Sequence, residues 1–94
     1  MIIVHAALPL DPDHRDEALD LIRDMTEKCP NDEGTIEYQA STDVNDPNLV
    51  RFVERYEDEE AVETHRGTDH YEEFGKTIQD MMAGKPDIDR YEVE

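Results

Sequence analysis

Proton transfer near neutral pH is the chemistry this chain is best equipped for: it carries four histidines, His5, His14, His65 and His70, and imidazole titrates in that range. His65 and His70 are the candidate proton acceptors. They stand five positions apart across Gly67, and an unbroken helix would not put two such residues on one face, so the spacing argues against a shared metal ion. No metal site is expected. Glu54 is the third candidate, because in an extended segment it alternates onto the face of Phe52 and Tyr56. A carboxylate on an apolar face needs a partner there, either an arginine across the sheet or dimer, or a histidine that it orients.

Other chemistries lack their residues. No dinucleotide fingerprint, phosphate loop, nucleophile elbow or His-Glu-x-x-His pair occurs, and the four glycines are scattered in turns, so no cofactor is expected. The single cysteine, Cys29, excludes an internal disulfide and a four-cysteine zinc site, and reads as a small apolar residue at a helix end.

These residues need elements to position them. Residues 2–9 are short and β-branched-rich, which predicts a strand with Pro9 at its exit. Asp11 and Pro12 then suit a helix start, Ala18, Ile22, Met25 and Cys29 recur at helical spacing, and Pro30 with Asn31 stops the helix. Gly34 opens a second strand to Ser41 with Ile36, Tyr38 and Ala40 on one face. The turn formers Asp43 to Asn48 join it to a third strand, Leu49 to Tyr56.

Asp58 begins a short helix bearing Ala61, Val62 and His65, and Gly67 interrupts it before Thr68 or Asp69 caps another. Tyr71, Phe74, Ile78, Met81 and Met82 form the apolar stripe of that last helix, which Gly84 and Pro86 end, leaving Ile88 to Val93 as a final strand. The order β-α-β-β-α-β is the split arrangement of a ferredoxin-like α+β domain, an antiparallel sheet with helices on one face. One such domain spans residues 1–94. Its uncovered sheet face would carry Ile3, Leu49 and Val53, and packing on a second copy is the economical way to cover them.

The surface is strongly acidic, with 26 Asp and Glu against 9 Lys and Arg and a formal net charge of −17. Such a field repels nucleic acid and anionic membranes, which excludes both as partners. The acids fall between ordered apolar positions, so the composition predicts a folded, salt-adapted (halophilic) domain rather than a disordered chain. No basic leader precedes Ile2, and no apolar run approaches the ~18 residues of a membrane span, so the expected location is the cytoplasm.

Five ordered segments carry a family resemblance. Ala6, Leu8 and Pro12 lead from strand to helix; Gly34 precedes Tyr38; Asp46 and Pro47 make an Asp-Pro turn. Glu54, Tyr56, Ala61 and His65 follow, and then Thr68, His70, Tyr71 and Phe74. In this order they resemble the antibiotic biosynthesis monooxygenase family. The resemblance implies a dimeric α+β barrel with a pocket in each subunit between sheet and helices. Its members include cofactor-independent oxygenases of quinols and polycyclic phenols, haem-degrading enzymes and an isomerase of a small sugar derivative.

Without metal or flavin, an oxygenase substrate must itself donate electrons to dioxygen, which requires an easily oxidised phenolate. The protein then supplies a proton acceptor and a dry apolar pocket. His65 and His70, with Glu54, are the candidates for the first role, and Tyr38, Phe52, Tyr56, Phe74, Met81 and Met82 for the second. Each has a structural alternative: His65 bonded to a carbonyl at a buried corner, His70 as a local cap, and the aromatic and Met residues as core. Tyr56 stands where many members carry Trp, and His5 where an aliphatic residue is common. The absence of any Trp argues against haem breakdown. A non-catalytic ligand-binding or stress-response dimer, or an isomerase using the same pocket, are the competing readings.

Overall fold

The computed structural model describes residues 1–94. β1 (Ile2–Pro9) is the centre of its sheet, pairing antiparallel with β3 (Leu49–Tyr56) on one side and β4 (Asp87–Glu92) on the other. β2 (Thr35–Thr42) pairs with β3, giving an antiparallel sheet of order β2-β3-β1-β4, as a ferredoxin-like domain has. The β2–β3 connection is held by its own acids. Asp43 accepts from the Asn45 amide at 2.8 Å and Asp46 from the Asn48 amide at 3.0 Å, which is why these residue types close a turn.

Alternation sorts the strands. Ile2, Val4 and Leu8 of β1 and Val50, Phe52 and Tyr56 of β3 are buried beneath the helices, each such side chain contributing about 1.5–3 kcal/mol of transfer free energy. Register brings Val4 opposite Glu54 and Ala6 opposite Phe52. In β2 the expected alternation is broken by a bulge between Thr35 and Glu37. The extra residue, Ile36, is 44% exposed, whereas Tyr38 is buried.

α1 (Arg15–Lys28) buries Ala18, Ile22 and Met25, and begins one turn later than Pro12 suggests because Pro12–His14 form a 3₁₀ turn with Asp11 as cap. A second 3₁₀ turn, Cys29–Asn31, closes onto Asp32. α2 (Glu59–Arg66) is capped by Asp58, which accepts from the Ala61 amide at 2.9 Å. α3 (Asp69–Ile78) is capped by Thr68. This helix stops before the two methionines: Met81 ends a 3₁₀ turn, and Met82 bridges back to Leu10 in extended conformation. No helix is long and apolar enough to cross a membrane.

Two buried clusters result. The larger joins α1, α3 and the middle of the sheet around Ile22, Met25, Val50 and Phe52, and the smaller joins Ile2, Val4, Tyr56, Ala61 and Val62 beneath α2. The far face of the sheet has no helix. Val53 and Tyr91 are 38% and 48% exposed there, and the His5 and Tyr91 rings meet edge to face at 5.8 Å.

Candidate active site

A cavity of about 130 Å³ opens between sheet and helices, with walls drawn from both clusters: Val4, Tyr56 and Val62 from one, Leu8, Tyr38 and Phe52 from the other. Ala6, Met25, Tyr71, Phe74 and Ile88 complete its apolar lining, and Glu54, His65 and Arg66 bring the charged and titratable groups. Of the residues expected to line a pocket, Tyr38, Phe52, Tyr56 and Phe74 do so. Met81 and Met82 do not, because α3 ends at Ile78, and they pack instead against the larger cluster.

His65 lies in the last turn of α2, on the face of Ala61 and Val62, and is 3% exposed. Its ring is surrounded by Tyr38, Tyr56 and Tyr71, with centroids at 5.5, 5.4 and 5.0 Å. The partner of its Nδ1 is the Asp32 carboxylate at 2.9 Å, rather than a carbonyl. An ionised carboxylate there accepts a hydrogen from Nδ1, which leaves the lone pair on Nε2. The hydrogen bond recorded for the ring is the one at Nδ1.

His70 follows the Thr68 cap of α3, and Thr68 does the capping by accepting from the Tyr71 amide at 3.2 Å. The imidazole is thereby free to turn inward. Its Nε2 lies 3.0 Å from the same Asp32 carboxylate, while its side chain stays 23% exposed. The break at Gly67, which on spacing alone separates the two histidines, instead starts a new helix whose direction returns His70 to His65.

Glu54 is on the helix-covered face as its alternation predicts, and its partner is the Tyr56 hydroxyl, which donates to Oε1. Of the strand arginines, Arg55 pairs with Glu37, Arg51 with Asp43 and Arg90 with Glu59. Burial holds the Glu54 carboxyl above the usual carboxylate range, while the Tyr56 hydrogen bond, His65 and Arg66 pull it back. Burial and the Glu54 charge push the phenols of Tyr38 and Tyr56 far up, so both remain neutral donors. The Cys29 thiol is pushed up to about 12, chiefly by burial and then by Asp32. The lining thus offers two candidate proton acceptors, the imidazole of His65 and the carboxyl of Glu54, which burial makes the more basic.

Asp32 is the member that sequence reasoning missed. It sits among turn formers after a helix, where an aspartate needs no further explanation, and it lies 33 and 38 positions from the histidines it joins. Cys29, one 3₁₀ turn earlier, also converges there: one ligand atom from each of Cys29, Asp32, His65 and His70 falls within 4.8 Å of every other.

Fold and site together define a ferredoxin-like α+β domain with a histidine-bearing apolar pocket under its helices. Residues 1–77 match the family described as Antibiotic biosynthesis monooxygenase, and the chain belongs to that family. It is 25% identical over 93 residues to the Bacillus subtilis protein named "Putative monooxygenase YcnE", covering 99% of this chain and 98% of that one. A crystal structure of an antibiotic biosynthesis monooxygenase superposes with a TM-score of 0.94 at 23% identity, over 100% of this chain and 99% of the other. Rv0793 from Mycobacterium tuberculosis superposes at 0.93 with 19% identity, over 99% and 94%. At these identities the structural likeness speaks for the fold.

Proposed function

We propose that this chain is a cofactor-independent monooxygenase of a single-ring quinol or phenol, working as a cytoplasmic homodimer packed through its uncovered sheet face. The observation that carries the reading is the buried His65, which lines a largely apolar cavity while its Nδ1 is held by Asp32, so that Nε2 is the ring nitrogen left for a substrate. Size argues for one ring: the cavity measures about 130 Å³, and an apolar cavity of about 150 Å³ takes benzene.

In this reading the substrate hydroxyl gives its proton to His65 Nε2, and the forming imidazolium is stabilised by Asp32. Arg66, the one Lys or Arg on the lining, attracts the phenolate. That anion then passes one electron to dioxygen, and the two radicals combine at a ring carbon. Loss of water from the resulting hydroperoxide leaves one oxygen on the ring. For a hydroquinone the balance is one quinol and one dioxygen giving one hydroxyquinone and one water, with every electron supplied by the substrate. The apolar walls keep water from the intermediate.

The test is oxygen uptake with a panel of hydroquinones and phenols in molar KCl. Loss of the base should lower the rate of His65→Ala by about 10²–10⁴-fold, and His70→Ala should fall less, since it touches Asp32 and not the cavity. No uptake with any compound, or uptake indifferent to both changes, overturns the proposal. Tight quinol binding without uptake would support a ligand-binding dimer in its place.

A further inference from the structure

Asp32 ties the two histidines together, and Cys29, a core residue whose sulfur also meets the Tyr38 hydroxyl, reaches the same point as a fourth member. Its sulfur belongs to a donor set of one thiol, one carboxylate and two imidazoles, every ligand atom within 4.8 Å of the others. Two short turns present all four. Cys29 and Asp32 bracket one 3₁₀ turn, closed by the Asp32 amide on the Cys29 carbonyl at 3.0 Å, and His65 and His70 flank the α2–α3 corner, closed by the Thr68 amide on the His65 carbonyl at 3.2 Å. Backbone hydrogen bonds thus fix the carriers, and only side-chain torsions remain to be set.

We propose that Cys29, Asp32, His65 and His70 form a binding site for a divalent transition metal of the zinc class. Tetrahedral zinc with bonds of about 2.0–2.3 Å sets its ligand atoms roughly 3.3–3.7 Å apart. The Asp32–histidine separations of 2.9 and 3.0 Å need to open by a few tenths of an ångström. The widest separation, 4.8 Å, needs to close by roughly 1 Å, which side-chain rotation supplies. Thiolate and carboxylate together neutralise a dication, and the sulfur with two imidazoles selects zinc, cobalt or copper over magnesium or calcium.

Surroundings suit entry of a cation. Cys29 and His65 are 0% and 3% exposed and close the inner side, while His70, 23% exposed, borders a groove that also carries Asp24 and Glu73. Lys28 in that groove is engaged by Asp24 at 2.8 Å. The chain's net charge of −17 raises the local concentration of divalent cations.

Loading releases the thiol proton to solvent and moves the remaining proton of each imidazole to its other nitrogen. For His65, with the metal on Nδ1, that nitrogen is Nε2. The loaded chain therefore presents a hydrogen-bond donor to the cavity where the metal-free chain presents an acceptor, and the metal acts as a brake on the proposed reaction. The site itself stands independently of that reading.

Cobalt is the probe. The full-length chain, stripped with a chelator and kept in molar KCl, is titrated with Co²⁺ and followed by absorption. Expected are one equivalent bound, the strong visible bands of tetrahedral cobalt, and a sulfur-to-cobalt charge-transfer band, all displaced by Zn²⁺. Cys29→Ser should abolish the charge-transfer band, and His70→Ala, a change at a partly exposed position that keeps the core intact, should weaken binding at least tenfold. His14→Ala should bind as the parent does. Absence of stoichiometric binding, cobalt without the sulfur band, or a His70→Ala variant that binds as tightly as the parent overturns the site. Cobalt binding by a chain whose metal-free form takes up no oxygen keeps the site and removes the reaction; uptake by the metal-free form without cobalt binding does the reverse, and uptake that loading leaves unchanged removes the brake.

Discussion

The carboxylate of Asp32 lies 2.9 Å from Nδ1 of His65, joining the turn after α1 to the end of α2 across 33 positions of chain. Both side chains are nearly excluded from solvent, at 6% and 4% exposed. Removing the carboxylate strands a buried ring N–H, and an unsatisfied buried donor costs about 1–3 kcal/mol. Asp32→Ala should therefore lower unfolding free energy by that amount in a urea titration in molar KCl. In a His65→Ala background the same change should cost less, because one of the two donors is already gone. Equal costs in the two backgrounds would mean that the pair is uncoupled.

Most elements were legible because their signals are local. Alternation in β1 and β3, the acids of the β2–β3 turn, and the Asp58 and Thr68 caps each act over a few residues, and each does what its type predicts. The misses involve partners supplied by another element. Ile36 was displaced by a bulge whose cause is pairing with β3. Met82 left the helical pattern because the strand exit at Leu10 offered it a bridge. Asp32 was illegible for the same reason, as nothing near it in sequence says that two histidines will arrive. Glu54 is the instructive exception: its partner Tyr56 sits two positions away on the same face, so the hydroxyl was readable although the two partners weighed were an arginine and a histidine.

That Glu54 carboxyl carries a pH prediction. Its folded pKa is raised by burial, so the folded chain binds this proton more tightly than the unfolded chain does. The contribution to stability is complete below the ordinary glutamate value of about 4.3 and is lost as pH rises through the folded value. Glu54→Gln keeps a carbonyl to accept from Tyr56 and removes the titration. The melting-temperature difference, variant minus parent, should consequently grow in favour of the variant from pH 4 to pH 8. A difference that is flat or shrinks with pH would show that Glu54 is not desolvated.

Gly34 has a backbone φ of +82°, and a Cβ added there would overlap the Ala61 Cβ. Both a left-handed conformation and a close approach to α2 thus require glycine at the start of β2. Gly34→Ala should destabilise by about 2–4 kcal/mol, the sum of backbone strain and overpacking, read as a lower urea midpoint with unchanged slope. Adding Ala61→Gly should relieve the packing part only. A Gly34→Ala chain as stable as its parent would rule out the observed contact.

On the face without helices, Val53 stands opposite His5 in register, next to the exposed ring of Tyr91. If this strip covers itself with a second copy, a carboxylate in its middle is buried without a partner, a strongly unfavourable change. Val53→Asp should shift the sedimentation mass in molar KCl from dimer to monomer while leaving circular dichroism unchanged. A parent chain that is already monomeric, or a variant that remains dimeric, would remove this face as the interface.

Most of the 26 acidic side chains have no cationic partner, since only nine lysines and arginines exist to pair them. Their mutual repulsion reaches across about 10 Å at 0.1 M salt but only about 3 Å at 1 M, and it acts on the compact state more than on an expanded one. Each kcal/mol relieved raises the melting temperature of a domain this size by about 4–8 °C. The melting temperature should accordingly climb by several degrees between 0.1 M and 2 M KCl. Replacing exposed acids of α1 that lack a partner, such as Glu17, by Gln should raise the low-salt value and flatten the climb. The paired variants separate two causes of salt stabilisation. Screening of repulsion diminishes as carboxylates are removed, whereas a general strengthening of apolar burial by salt persists unchanged, and a climb indifferent to these substitutions would assign the effect to the core.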